Sequence, residues 1–334
     1  MFRIFKLLLI FALIGLLIAG AWLWHFSSTV LTLPNTPYEF RLKSGTTLRS
    51  AAGQFKQAGL MRNTISFEML ARILGKSGKL KAGTYVLDKP LTPLGLLEKI
   101  ISGDVTQLEI TFIEGHTFAQ MRKRLDEIED LKHETTKLSD AEVLKLVGAT
   151  ETNPEGLFMP DTYQFSKGMT DLALLKRAYQ TMQNHLNEAW GKRAPNLPYK
   201  NPYEALIMAS IVEKETGLKS ERPGIAAVFT NRLRIGMRLQ TDPSIIYGLG
   251  AKYRGKIYRS DLDNDTPYNT YTRAGLPPTP IAMPSRAAID AVMQPDTSKA
   301  LYFVASPKGD GSHIFSNSLR EHNSAVSKYR AAAK

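Results

Sequence analysis

The chain contains no cysteine, which excludes disulfides, thiol nucleophiles, zinc–thiolate sites and a lipidated cysteine anchor while leaving the compartment open. Acidic residues are missing from the first 24 positions. Charge of either sign is missing from Leu7 to Trp24, and none follows until Glu39. No internal repeat, low-complexity tract, or RNA- or DNA-binding motif is present. What is there is an ordinary globular composition, 43% hydrophobic and 22% charged over 334 residues, enough for roughly two domains and a filled core. The formal charge is +12. A surface of that sign favours a polyanion such as nucleic acid, anionic lipid headgroups or a negatively charged cell wall. Because Lys and Arg are scattered along the chain, nucleic acid is the weakest of the three, and no nucleic-acid partner is expected.

The uncharged run Leu7–Trp24 is eighteen residues long, about 27 Å as a helix and close to the hydrocarbon thickness of a bilayer. Arg3 and Lys6 precede it, so the positive-inside rule puts the N-terminus in the cytoplasm, with Trp22 and Trp24 suited to an interfacial belt. Ala19-Gly20-Ala21 resembles the cleavage site of a signal peptide, but the apolar run continues through Trp24 and favours a retained anchor. On either reading the bulk of the chain lies beyond the cytoplasmic membrane.

The chain divides into a cytoplasmic tip and anchor (1–24), an uncharged linker (25–36), a small α+β domain (37–104) and a larger helix-rich domain (105–334). In the small domain, "YEFRL" alternates as a strand, a helix runs from Leu48 to a stop at Gly59, and "ISFEMLARILG" is a second helix. "LKAGTYVL" is a strand, and a third helix is capped by Thr92 and stopped by Gly103. The turn "SGTTL" before a helix resembles a LysM module, which implies binding of N-acetylglucosamine-containing glycans; a domain that only packs is the alternative. The larger region opens with the strand "QLEITFIEG". Its stretch "EGLFMPDTYQF" (155–165) reads as a fixed loop, and Ser220 is expected to cap the helix that Gly236 ends. The fold class is α+β with helix predominating.

Everything turns on "NPYEALIMASIVEKETG" (201–217). Asn201 suits an N-cap, Pro202 the first helical position and Glu204 a capping box, while Gly217 supplies a left-handed stop. The helix is apolar up to Val212 and then carries Glu213 and Glu215 in its last turn, where the macrodipole disfavours negative charge. On a 3.6-residue period Glu215 stacks over Ile211, Val212 and Met208, and Glu213 over Ala209 and Ser210. Desolvation by Ile211 and Met208 would raise the Glu215 pKa, which suits a general acid. The competing reading makes both carboxylates solvated partners of Lys214 or Lys219.

Several motifs resemble, in order, those of the MltG/YceG-like endolytic murein transglycosylases: "EGLFMPDTY", "ASIVEKETG", "FTNRLRIGMRLQTDPSIIYGLG", "YNTYTRAGLPPTPI" and "HIFSNSLREHN". Where the family reads GLPPGPI followed by Pro-Gly, this chain has Thr279 and, after Pro284, Ser285. The resemblance implies cleavage of the MurNAc-β-1,4-GlcNAc bond of nascent peptidoglycan without water, leaving 1,6-anhydroMurNAc ends, with no cofactor. It implies a bacterial inner-membrane protein with a periplasmic bulk, and cell-wall synthases as possible partners. Glu215, followed by Thr216, becomes the acid and then the base, and Glu213 a supporting residue that pairs with Arg232 or Lys214.

The remaining candidates each have a structural alternative. Asp242 is the best second carboxylate, yet it also reads as an N-cap before Pro243. Gln240, on the same strand face, could hydrogen-bond an N-acetyl group. Tyr268, Asn269 and Tyr271 resemble the Tyr-Asn pair of lytic transglycosylase clefts, where a phenol holds the catalytic carboxyl and an amide orients sugar; core tyrosines are the alternative. His313 and the run Glu321-His322-Asn323 match no zinc spacing and read as substrate-side or structural groups. The competing functions are a catalytically silent glycan-binding scaffold and a hydrolytic muramidase that uses Asp242 as its second carboxylate.

Overall fold

A computed structural model describes residues 2–105 and 107–332, with side chains from residue 5 onward. Residues 1, 106 and 333–334, and the Arg3 side chain invoked for orientation, lie outside the described residues. The elements follow as α1 (Phe2–Ser28), β1 (Tyr38–Leu42), α2 (Leu48–Gln57), α3 (Thr64–Ile73), β2 (Gly83–Leu87), α4 (Pro93–Ser102), β3 (Gln107–Thr111), α5 (Phe118–Asp126), α6 (Asp140–Val147) and β4 (Thr162–Ser166). They continue as α7 (Asp171–Gly191), α8 (Pro202–Glu215), α9 (Arg222–Arg234), α10 (Asp242–Leu249), α11 (Arg259–Asp263), α12 (Arg286–Met293), β5 (Tyr302–Ala305), β6 (His313–Ser316) and α13 (Leu319–Ala332). Helix makes up 49% and strand 9%. The chain forms two compact units, one of Met1–Leu108 with Gln164–Gly168, the other of Glu109–Tyr163 with Met169–Lys334.

In the first unit β1 and β2 pair antiparallel, Phe40 opposite Tyr85 and Leu42 opposite Gly83. The alternation of "YEFRL" sends Phe40 and Leu42 inward, where Phe40 meets Phe55 edge-on at 5.0 Å and Phe55 meets Phe67 at 5.8 Å. The core is closed by Leu96, Leu97 and Ile100 of α4. Tyr85 is fully buried, and its hydroxyl donates to the Lys81 carbonyl at 2.7 Å, so no polar atom is stranded there. Thr47 and Thr92 cap α2 and α4 through their side chains. Gly103 ends α4 at φ 74°, where a β-carbon would lie 2.6 Å from the Lys81 side chain. The α1 helix continues past Trp24 to Ser28, and Phe5–Ser28 is long and apolar enough to cross a membrane.

In the second unit α8 is the central helix, packed by α7, α9, α10 and α12. Leu206 to Val212 are all buried, because the apolar residues run all round the helix rather than along one stripe. The Asn201 side chain accepts from the Glu204 amide at 2.9 Å. Glu204 reaches back to the Lys200 amide (2.7 Å), one residue beyond a capping box. The helix stops because Thr216 turns extended (φ −142°, ψ 136°) and its hydroxyl accepts from the Leu218 amide; Gly217 is not left-handed. Two further expectations are corrected. Ser220 lies in a 3₁₀ turn (Lys219–Glu221) and caps nothing. The end of "EGLFMPDTYQF" is strand β4, which pairs with β3, while 154–160 is a fully buried loop. Gly156 in that loop is left-handed (φ 78°), with Pro280 so close that a β-carbon would approach it to 2.5 Å.

Candidate active site

The C-terminal end of α8, the start of α10, the segment after Gly236 and the β5 strand surround a pocket of about 420 Å³. Glu215, Arg232, Gln240, Asp242, Tyr271 and His322 supply its polar lining, and Phe229, Tyr302, Phe303 and Leu319 complete the wall. Glu215 is desolvated where it stands at the end of α8. Burial pushes its pKa up to about 7, and the neighbouring Asp242 charge pushes the same way; the Thr241 hydroxyl, His313 and Arg232 oppose. Thr241 is itself buried and donates its hydroxyl to Glu215 Oε1. One carboxyl therefore stands protonated or ionised in comparable amounts near neutral pH, facing a solvent-reachable pocket.

Glu213, two residues earlier, points elsewhere. It pairs with Arg222 at 2.8 Å and accepts from the Ser285 amide and hydroxyl at 2.9 and 2.5 Å. Its partner is Arg222 rather than Arg232 or Lys214; Lys214 instead donates to the Gly115 carbonyl. Ser285 caps α12 at the same time, so Glu213 fastens the end of α8 to the start of α12. Both departures from the family pattern are thus occupied. Ser285 holds Glu213, and the Thr279 hydroxyl lies 2.9 Å from that of Tyr268.

Asp242 is not a helix cap. It is the first residue of α10, the N-cap position belongs to Thr241, and no side chain caps the helix. Its carboxylate instead accepts from the Tyr271 hydroxyl at 2.6 Å. Burial and that negative neighbour hold the Tyr271 pKa well above the ordinary phenol value. Gln240 lies in an irregular segment, not a strand, and adopts a left-handed backbone (φ 50°) while its side chain lines the pocket. Asn269 does not reach the pocket. At 2% exposure it donates to the carbonyls of Asp261, Leu262 and Asn264 and accepts from the Tyr271 and Thr272 amides, which shapes the loop that delivers Tyr271. Tyr268 packs edge-on against Tyr247 at 4.9 Å. The group that holds the Glu215 carboxyl is a threonine hydroxyl, not a phenol. His313 does not line the pocket; its amide donates to Glu221 at 2.8 Å and its Nδ1 lies 2.7 Å from the same carboxylate.

Arg232, Thr241 and Tyr302 escape the motif reading as site residues, while His322, from the run read as substrate-side or structural, lines the pocket. Arg232 is 8% exposed and anchored by two carbonyls, Leu301 at 2.7 Å and Leu239 at 2.5 Å, which directs a fixed cation at the pocket. His322 stacks on Tyr302 at 5.2 Å, and burial followed by the Arg232 charge lowers its pKa. Apart from the pocket, Glu155 is buried in the 154–160 loop. It accepts from the Phe118 amide at 3.0 Å, and burial pushes its pKa up to about 7.

Residues 40–328 match the model of the YceG-like family. The chain is similar to the endolytic murein transglycosylase of Bacillus subtilis (strain 168), 32% identical over 333 residues covering 94% of this chain and 91% of that protein. It is also similar to the endolytic murein transglycosylase of Streptococcus pneumoniae serotype 2 (strain D39), 27% identical over 86% of this chain, although it spans only 57% of that protein's length. Among solved structures it is similar to a YceG-like protein of Listeria monocytogenes, with a TM-score of 0.54 and 27% identity over 86% of this chain and 98% of that one. The ordered motifs, the central helix with its paired glutamates and a family match over most of the sequence converge: the chain belongs to the YceG-like family.

Proposed function

We propose that the chain is a peptidoglycan lytic transglycosylase, anchored in the bacterial inner membrane by α1, that cleaves nascent glycan strands internally. The observation that carries the reading is Glu215, a single carboxyl with its pKa raised to about 7, set in a pocket with room for a sugar and held by one hydroxyl. In the proposed reaction the Glu215 proton passes to the glycosidic oxygen as its bond to the anomeric carbon of N-acetylmuramic acid breaks. The resulting carboxylate takes the proton of the 6-hydroxyl, whose oxygen bonds to that carbon and closes the 1,6-anhydro ring. Arg232, a fixed cation at the pocket, stabilises the transient Glu215 carboxylate. Gln240 and Tyr271 line the sugar's path. A scaffold without catalysis has no need of an acid kept in a desolvated site.

A second reading has a specific observation behind it. Because Asp242 is not committed to capping and lines the same pocket, it is available to activate a water, as in an inverting hydrolase, or to attack the anomeric carbon, as in a retaining one. Digestion of purified glycan strands in heavy-oxygen water decides between them by mass spectrometry. The lyase gives anhydro ends without label, and labelled reducing ends would make the enzyme a muramidase.

The small domain is proposed to hold glycan as a LysM-like module. A groove of about 330 Å³ between the 43–47 turn and the 77–82 segment, with Lys43, Thr46, Ser77 and Lys81 at its rim, supports this. Peptidoglycan strands are the substrate partner. Cell-wall synthases remain an expectation from the resemblance alone.

A further inference from the structure

Helix α3 carries apolar side chains on two faces. Phe67, Leu70 and Ala71 point into the core of the small domain. Ile65, Met69 and Ile73, spaced by four, form a second stripe that is 62%, 40% and 65% exposed, and Leu74 extends it. No described residue covers it. A ten-residue helix with a free apolar stripe of this kind is unusual for a water-exposed surface.

The position of the stripe supplies the reason. Helix α1 packs against α3 and α4, and it does so through its C-terminal end, where Leu23 and Phe26 join the small domain's core. Trp22 and Trp24, at that same end, are exposed as residues of an interfacial belt are. The domain is thus fixed to the exit point of the apolar helix rather than hung from a loose tether. Between residues 37 and 104 the domain carries eleven Lys and Arg against five Asp and Glu, a balance that favours anionic headgroups.

We propose that the Ile65–Met69–Ile73 stripe of α3 seats in the headgroup region of the bilayer, so that the small domain lies on the membrane surface. The proposal rests on α1 being a membrane anchor, and it commits to lipid as the occupant. An amphipathic helix in that setting places its apolar side chains at a depth of about 5–10 Å.

The absence of cysteine makes the test direct. The full chain is reconstituted in vesicles of phosphatidylethanolamine with phosphatidylglycerol and labelled singly at Met69→Cys, Ile73→Cys, Lys56→Cys or Leu13→Cys. Quenching by lipids brominated at different depths is then measured. Labels at 69 and 73 should be quenched several-fold more than the label on exposed Lys56 of α2, from lipids brominated near the headgroup, and the label at 13 from lipids brominated near the chain ends. A label at 13 inside the bilayer with 69 and 73 no more quenched than 56 overturns this proposal and leaves the anchor standing. A label at 13 outside the bilayer overturns both. Shielding at 69 that depends on protein concentration and persists in detergent micelles would assign the stripe to a second copy and overturn the proposal.

Discussion

Two carboxylates two residues apart on α8 do different work because their neighbours differ. Glu213 is tied into an ion pair and two hydrogen bonds, while Glu215 has one hydroxyl and a desolvating wall. Glu215→Gln, nearly isosteric, should leave a folded protein that has lost roughly 10²–10⁴ in turnover, the range for a positioned acid–base group; a smaller loss on purified strands would move the acid elsewhere. Glu213→Gln is expected to show itself in melting temperature instead. Asp242 tests the electrostatics. Its charge raises the Glu215 pKa, so Asp242→Asn should shift the high-pH limb of kcat to lower pH, with a loss well short of the roughly 10²–10⁴-fold expected of an acid–base group. Because Asp242 caps nothing, thermal stability should change little. A folded but dead Asp242→Asn enzyme would support the hydrolase reading.

At the scale of elements, most of the helix boundaries could be read from the sequence because caps are local chemistry. Thr92 and Gly103 bracket α4 as expected, and Asn201 opens α8. Local chemistry fails where the deciding partner is distant in sequence. Asp242 followed by Pro243 looks like a cap, but Tyr271 draws its carboxylate away. The end of "EGLFMPDTYQF" becomes a strand only because β3 offers a partner about fifty residues earlier. The desolvation of Glu215 was legible from its helix position, against the alternative of a solvated last turn. The place of Arg232 was not, since nothing local marks a side chain anchored by the distant Leu301 carbonyl and by Leu239, and His322 was marked only within a run read as substrate-side or structural. The groove of the small domain is an element-scale feature made by two loops. Ser77→Trp, which fills it, should weaken binding to long glycan strands at least several-fold in a sedimentation assay while cleavage of short soluble fragments stays unchanged. Equal loss on both substrates would count against a separate glycan-binding role.

At the scale of the whole molecule, burial raises the pKa of two of the described carboxyls, Glu215 and Glu155, to about 7. The sign follows from linkage. Between the ordinary carboxyl value of about 4.5 and the folded value of about 7, the native state holds more protons than the unfolded chain. Stability therefore falls as pH rises through that window and levels off above it. Each group contributes on the order of 3 kcal/mol across the window at most, from about 1.4 kcal/mol per pKa unit. Denaturation midpoints should accordingly decline from pH 5 to pH 8, and Glu155→Gln should remove part of the decline without moving the kinetic pH profile. A midpoint that rises over this range would contradict the burial of both groups. Glu155 also means that a proton-release experiment and a rate experiment will count differently on the same enzyme. Near pH 7 the resting population is spread over four protonation microstates, and the two that keep the Glu215 proton can begin a turnover whichever state Glu155 is in. Initial rates should then fall from their acid plateau as pH passes through the neutral range with every molecule folded, while the calorimeter registers a second proton that the kinetics never sees.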